Sequence, residues 1–230
     1  MHLSAGSART RPAARHRAGA APAAQPTRSV DSVNAHYPVV VPEVVPSTRD
    51  RLIDAAAQLL DDGGPAAVTL REVGRLAGVS HNAPYKHFAG KEDLLAAVAA
   101  RELSRPRRAA PDGSSPAEAL RDLMHGYVEW ALRHPARFKL TFGSWSSDSA
   151  ELGDAAAAAR STLVEAVARA QASKDLPDGD PERLAALILA ATHGAVDLAL
   201  SGHLAKAGKG HADPQDLVDD LLSHLSHLSR

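Results

Sequence analysis

The sequence predicts an all-α chain of about nine helices. Three observations carry that reading. Apolar residues recur at three- and four-residue spacing from Thr48 to the carboxyl end, no stretch alternates apolar and polar with period two, and cap and stop residues fall between the periodic runs. The chain has 230 residues, 44% hydrophobic and 3% aromatic, enough to build a core in one compact domain or two small ones. Charge nearly balances, with 26 Lys and Arg against 27 Asp and Glu, so bulk basicity says nothing and only local charge placement is informative. Cysteine is absent. That excludes a disulfide scaffold, a thiol nucleophile and Cys-ligated metal sites. No uninterrupted apolar run approaches the roughly 18 to 20 residues that span a bilayer, and no secretory signal opens the chain, so a cytoplasmic protein with no membrane partner is expected.

Residues 1–46 are rich in Ala, Arg, Pro and Ser, lack periodicity and carry six prolines, the composition of a disordered leader. From Thr48 a first helix is expected, with Leu52, Ile53, Ala56, Leu59 and Leu60 on one face and a stop at Gly63-Gly64-Pro65. Thr69 opens a second helix, with Glu72 completing a T-x-x-E capping box and Leu70, Val73, Leu76 and Ala77 as its buried stripe. Gly78 ends it, and Val79-Ser80 lead into a short third helix over His81 to Phe88, with Phe88 in the core. A fourth follows Gly90, with Leu94, Leu95 and Val98 inward and Glu92 and Asp93 at its positive end. Pro106 and the Pro111–Pro116 stretch form a linker.

Beyond the linker a long helix runs from Pro116 to about His134, then a short one over Ala136–Phe142 and an Ala-rich one from about Glu151 to Ser173. Asp180-Pro181 and Asp213-Pro214 each place a cap before a proline at the first helical position. They start the two last helices, which carry wide apolar stripes.

Two short helices joined by a tight glycine-containing turn are a helix-turn-helix. Gly78 supplies positive φ, Val79 plugs the core beneath the turn, and Ser80 caps the next helix. The stretch from Thr48 to Arg105 is neutral, with eight basic and eight acidic residues, yet between Thr69 and Lys91 the cations Arg71, Arg75, Lys86 and Lys91 face only Glu72. Positive charge is gathered where the unit would meet phosphate.

The run "TLREVGRLAGVSHNAPYKHFAGKEDLLAAV", with V-S, A-P-Y-K-H-F and G-K-E-D-L-L in that order, resembles the DNA-binding domain of TetR-family transcriptional regulators over about fifty residues. The resemblance implies residues 47–105 as a helix-turn-helix domain and residues 106–230 as a helical ligand-binding and dimerisation domain. It puts Tyr85, Lys86 and His87 on the recognition helix, with Tyr85 and Lys86 on backbone phosphates. Thr69 and Lys91 would bind phosphate from flanking helix starts, and Ser80, His81, Asn82 and Ala83 would lie nearest the base edges. The chemistry of these residues agrees in part. Asn82 can pair bidentately with adenine and Ala83 can meet a thymine methyl, while Thr69 also serves as a cap, and His87 and the pair Arg71 and Arg75 also read as structural or solvated positions. The leader's Arg9, Arg11, Arg15, Arg17 and Arg28 outnumber Asp31 and Glu43, which suits an arm on double-stranded DNA or an inert tail.

The second half resembles a TetR subgroup named for its WHG domain, through "YVEWALRHPARFKLTFG" and "AATHGAVDLALSGHL", with Thr192-His193-Gly194 where the subgroup has Trp-His-Gly. Five of the eight aromatics gather here, and Tyr127, Trp130, Phe138, Phe142 and Trp145 are expected to line an apolar cavity for a small-molecule effector, with His193 and Asp197 giving polar selectivity. The last two helices are expected to pair with a second copy in an isologous homodimer. That places two recognition helices one DNA turn apart, about 34 to 36 Å. No catalytic residue, cofactor or metal is expected. The rival reading is a helical metal-dependent enzyme using His203, His211, His224 and His227, but no phosphate loop, G-x-S-x-G elbow or H-E-x-x-H occurs. A ligand-released repressor leads.

Overall fold

The computed structural model describes residues 46–105, 111–145 and 148–228. The leader up to residue 45 and the linker's Pro106 lie outside the described residues. Among the described residues nine helices follow one another: α1 Thr48–Ala67, α2 Leu70–Leu76, α3 Ala83–His87, α4 Lys91–Ser104, α5 Pro116–Arg133, α6 Pro135–Thr141, α7 Ala150–Ala172, α8 Pro181–Leu200 and α9 Pro214–His227. Among the described residues there is no strand, only an isolated bridge between Ala205 and Gly210.

Local chemistry sets most boundaries. Ser47 and Asp50 satisfy each other's backbone N–H groups in a capping box at α1, and Ser115 and Glu118 repeat it at α5. Asp180 and Asp213 cap α8 and α9 ahead of their prolines. The path of α1 breaks where the glycine pair predicts, at Gly63 and Gly64, with Gly64 at φ +67. Two expected caps differ. Thr69 accepts from the Glu72 amide, but the Glu72 carboxylate turns to Arg75 instead of closing the box. The third helix starts at Ala83 rather than His81, because Ser80 contributes its carbonyl to Ala83 N–H and the intervening residues form a turn.

Among the described residues the apolar side chains gather in three clusters, two large and one small. One of the large clusters joins α1 to α4, from Leu52, Leu60, Val73, Phe88 and Leu94, and the other joins α5, α7, α8 and α9 through Met124, Tyr127, Val167, Ile188 and Leu222. Helix α4 serves more than one of these neighbours. Every residue from Leu94 to Ala100 is buried, including the face beyond the expected Leu94, Leu95 and Val98. Ala96, Ala99 and Ala100 pack on Leu152 and Ala155 of α7. A helix apolar on all sides needs neighbours on all sides, and alanine side chains let α7 approach closely.

Helix α8 corrects one expectation. It is long and apolar enough, by length and composition, to cross a membrane, because alanines fill the gaps between its larger side chains. In this fold it packs on α5, α7 and α9, burying Ala185, Ile188, Thr192, Ala195 and Val196.

The α4–α7 contact is expected to be intolerant of volume. Ala99→Leu should destabilise the chain by about 1–3 kcal/mol through overpacking, read as a lowered urea midpoint with an unchanged slope. A neutral result would mean that α7 stands off from α4.

Candidate nucleic-acid interface and ligand cavity

The reading unit is fixed by two glycines. Helix α2 ends in a Schellman arrangement, with Val79 N–H donating to the Gly74 carbonyl and Gly78 N–H to the Arg75 carbonyl, at 3.1 and 3.2 Å. Gly78 sits at φ +64, a left-handed conformation that costs other residues about 1–2 kcal/mol. Gly74 is the less obvious of the two. A Cβ there would lie 2.9 Å from Cγ of Pro84, so its missing side chain is what lets α3 lie against α2. Its signal in the sequence was only a small residue four positions before the turn glycine.

This packing buries Pro84 and Phe88 and leaves the rest of α3 facing outward. Ser80, His81, Asn82, Tyr85, Lys86, His87, Thr69 and Lys91 are all exposed, and Ala83 is half-buried. Tyr85 is 55% exposed, with the His81 ring edge-on at 6.2 Å. Asn82 begins α3 without spending its amide on a cap. Lys91 folds its ammonium onto the Pro65 carbonyl at the end of α1, and Thr69 holds the start of α2. Glu72 is engaged by Arg75, whose hydrogen bond holds that carboxyl below its ordinary range. With Glu72 neutralised, Arg71, Lys86 and Lys91 leave the surface positive.

Behind this unit a polar junction ties four helices together. The Glu102 side chain of α4 has no solvent exposure. Its two oxygens accept from Trp130 Nε1 of α5 at 2.9 Å and from Arg137 of α6 at 3.0 Å. Arg137 also donates to both carboxylate oxygens of Asp61 in α1, at 2.5 and 3.1 Å. Burial works against its charge, but the Asp61 hydrogen bond and the field of Glu102 together hold the guanidinium above its ordinary value.

Beside the junction lies a cavity of about 850 Å³ among α4, α5, α6, α7 and α8. Its apolar wall includes Leu103, Leu123, Met124, Tyr127, Phe142 and Leu163, and its polar lining includes Arg105, Thr141, Arg160, Asp180, Glu182 and Arg183. Of the seven expected effector contacts, Tyr127 and Phe142 line it. The other five lie elsewhere. Phe138 is buried under the cluster, 4.7 Å from the His193 ring, and Trp130 is committed to Glu102. His193 hydrogen-bonds the Tyr127 hydroxyl through Nδ1 at 2.8 Å, so it holds a cavity residue from behind. Trp145 packs on the α1–α4 core, and Asp197 is exposed on α8. The aromatics therefore form mostly core, with the cavity on one flank. Aliphatic and Ala-rich segments supplied the missed residues, and nothing in their pattern marked them. Thr192, standing where the subgroup has Trp, is buried and donates to the Ile188 carbonyl at 2.8 Å.

Among the described residues no three of His, Cys, Asp or Glu gather as a metal site, and His224 hydrogen-bonds the Asp220 carbonyl.

Residues 52–98 match the model of bacterial regulatory proteins of the tetR family, and residues 120–225 match that of the tetracyclin repressor-like C-terminal domain. The chain belongs to the TetR family, whose members matched here are regulators and not enzymes. It is 31% identical over 100 residues to the HTH-type transcriptional regulator BetI of Rhizobium meliloti, covering 44% of this chain and 49% of that one. It is 45% identical over 53 residues to the HTH-type transcriptional regulator SrpR of Pseudomonas putida, covering 23% and 25%. These matches span half or less of the curated relatives. A solved protein of unknown function from Rhodococcus sp. RHA1 is similar throughout, with TM-score 0.67 and 29% identity over 81% of this chain and 97% of that one.

Glu102→Ala should cost about 1–3 kcal/mol, since it leaves the Trp130 indole N–H and one Arg137 N–H without their acceptor while Asp61 still pairs the guanidinium. Equilibrium unfolding in urea checks this, and a loss under about 1 kcal/mol would show that water solvates Arg137.

Proposed function

We propose that the chain is a one-component transcriptional regulator, a repressor that binds a pseudo-palindromic operator as a homodimer and leaves it when a small molecule occupies the cavity. Residues 47–105 are its reading domain and 106–230 its regulatory domain. The observation that carries the reading is the outward face of α3, held against α2 by the Gly74–Pro84 contact and flanked by the exposed cations Arg71, Lys86 and Lys91. Lys86, Lys91, Tyr85 and Thr69 would contact phosphates, which position the protein, while Ser80, His81, Asn82 and Ala83 would face base edges, which specify the site. His87 would lie at the edge of that face.

The exposed side of α8 supports dimerisation. Leu187 and Leu198 are 53% and 48% exposed, and with Ala190, Ala191 and Gly194 between them they form a stripe opposite the face that packs inward. Leu228 extends the same character on α9 at 74% exposure. Such a stripe of small and large apolar residues suits a second copy of itself. Release requires only that the effector bind one arrangement of the helices better than the other. The junction at Glu102 and Arg137, between cavity and α1, is the contact through which such a preference would reach the reading unit.

DNA binding is tested by gel shift with the DNA upstream of the gene, at several salt concentrations. Lys91→Ala should weaken binding to all sequences alike and lower the salt slope by about one. Asn82→Ala should relax base preference at one position, worth about 1–3 kcal/mol. Identical behaviour of the two variants would refute the division of roles. The double variant Leu187→Glu with Leu198→Glu should run as a monomer in light scattering and lose operator affinity. A wild-type chain that is monomeric at micromolar concentration would remove the dimer from the reading.

A further inference from the structure

We propose that the cavity takes an uncharged, hydrocarbon-rich molecule, held by apolar contact and carrying no ionic head group. This rests on the effector reading of the cavity and names the class of ligand that the site accepts.

The first observation is the make-up of the buried wall. Met124, Tyr127, Leu163 and Ala185 line the cavity and are buried. Such a wall holds a ligand through the apolar area that both withdraw from water. The polar atoms of this part are withdrawn from it. Thr141 lines the cavity, but its Oγ1 is sealed from it. The Tyr127 hydroxyl is hydrogen-bonded to His193 Nδ1 at 2.8 Å.

The second observation is that the charges of the lining answer one another. Arg160 of α7 pairs with Glu182 of α8 at 2.5 Å. Arg105 is ion-paired with the buried Glu102 at 3.6 Å. Asp180 accepts from the Glu182 amide at the start of α8. Arg183 is exposed, as are Arg105, Arg160, Asp180 and Glu182, so the charges of the lining lie on its solvent side and water reaches them. With Glu102 counted, three guanidinium groups stand against three carboxylates, and neither sign of ligand charge is favoured. A charged group that entered the buried part would give up its water with no opposite charge to meet.

The third observation is size. A volume of about 850 Å³ falls within the roughly 300–1,000 Å³ of small-molecule sites. The space exists because α7 presents Ala156, Ala158 and Ala159 to it, where larger side chains would fill it. Leu123 and Met124 of α5 add flexible aliphatic surface, which adapts to the outline of a hydrocarbon.

Displacement of Nile red, an uncharged dye that brightens in apolar surroundings, from the full chain without DNA tests this. Methyl octanoate should displace the dye at a concentration at least tenfold lower than octanoate or octylamine requires. Ala159→Phe, which fills the cavity from α7, should weaken dye binding about tenfold or more. Ala158→Phe, at an exposed position of the same wall, should act alike and stands in if the first variant fails to fold by circular dichroism. Octanoate that matches the ester, octanoate that loses affinity in Arg183→Gln, or dye binding that the folded filled variants keep, overturns the inference. A charged compound that releases the operator in the gel shift would leave the effector reading standing and refute the uncharged class alone.

Discussion

The structure turns on one buried carboxylate. Glu102 is enclosed by α4, α5 and α6, and desolvating it and Arg137 costs several kcal/mol per ion, so the pair adds little net stability over apolar packing. Its effect is on arrangement. Any shift of α5 or α6 along α4 strands either the indole N–H of Trp130, the guanidinium of Arg137 or the carboxylate itself, and each stranded group carries its full desolvation penalty. Because Arg137 also holds Asp61, the register of α1 is fixed by the same demand. The reading unit and the cavity domain are thereby joined by a contact that tolerates few intermediate geometries.

The surroundings of α4 have the same consequence. A helix buried on every side from Leu94 to Ala100 cannot move without disturbing both the α1–α4 core and α7. Its alanines make the packing close, and close packing transmits displacement. Leu103 to Arg105, at the far end of this helix, line the cavity, whereas Lys91 at its near end borders α3. One rigid element thus spans the distance between the two surfaces on which the proposed function depends.

Much of the fold was legible because it is written in local chemistry. Caps at Thr69, Asp180 and Asp213 act within three residues of themselves, and the glycine pair at 63–64 and the turn glycine at 78 act within one turn. The pattern Thr69 to Lys91 likewise marked an exposed, cationic α3, since exposure there follows from which few residues, Pro84 and Phe88 among them, are apolar enough to bury. Gly74 was not singled out, because its role is set by Pro84, ten residues away across the turn. Trp130 and Phe138 were read as cavity wall on the strength of being aromatic, yet an indole N–H with a buried acceptor and a ring stacked beneath His193 belong to the core.

The sequence by itself determined that the chain is helical, where most of its helices start and stop, and which short helix faces outward with positive charge, because all of these follow from interactions between near neighbours and from the period of the apolar residues. Only the tertiary structure decided where the cavity lies and that Glu102, Arg137 and Asp61 meet. Those outcomes depend on pairs separated by 35 to 76 positions, and no local pattern tells a polar side chain which distant partner will satisfy it.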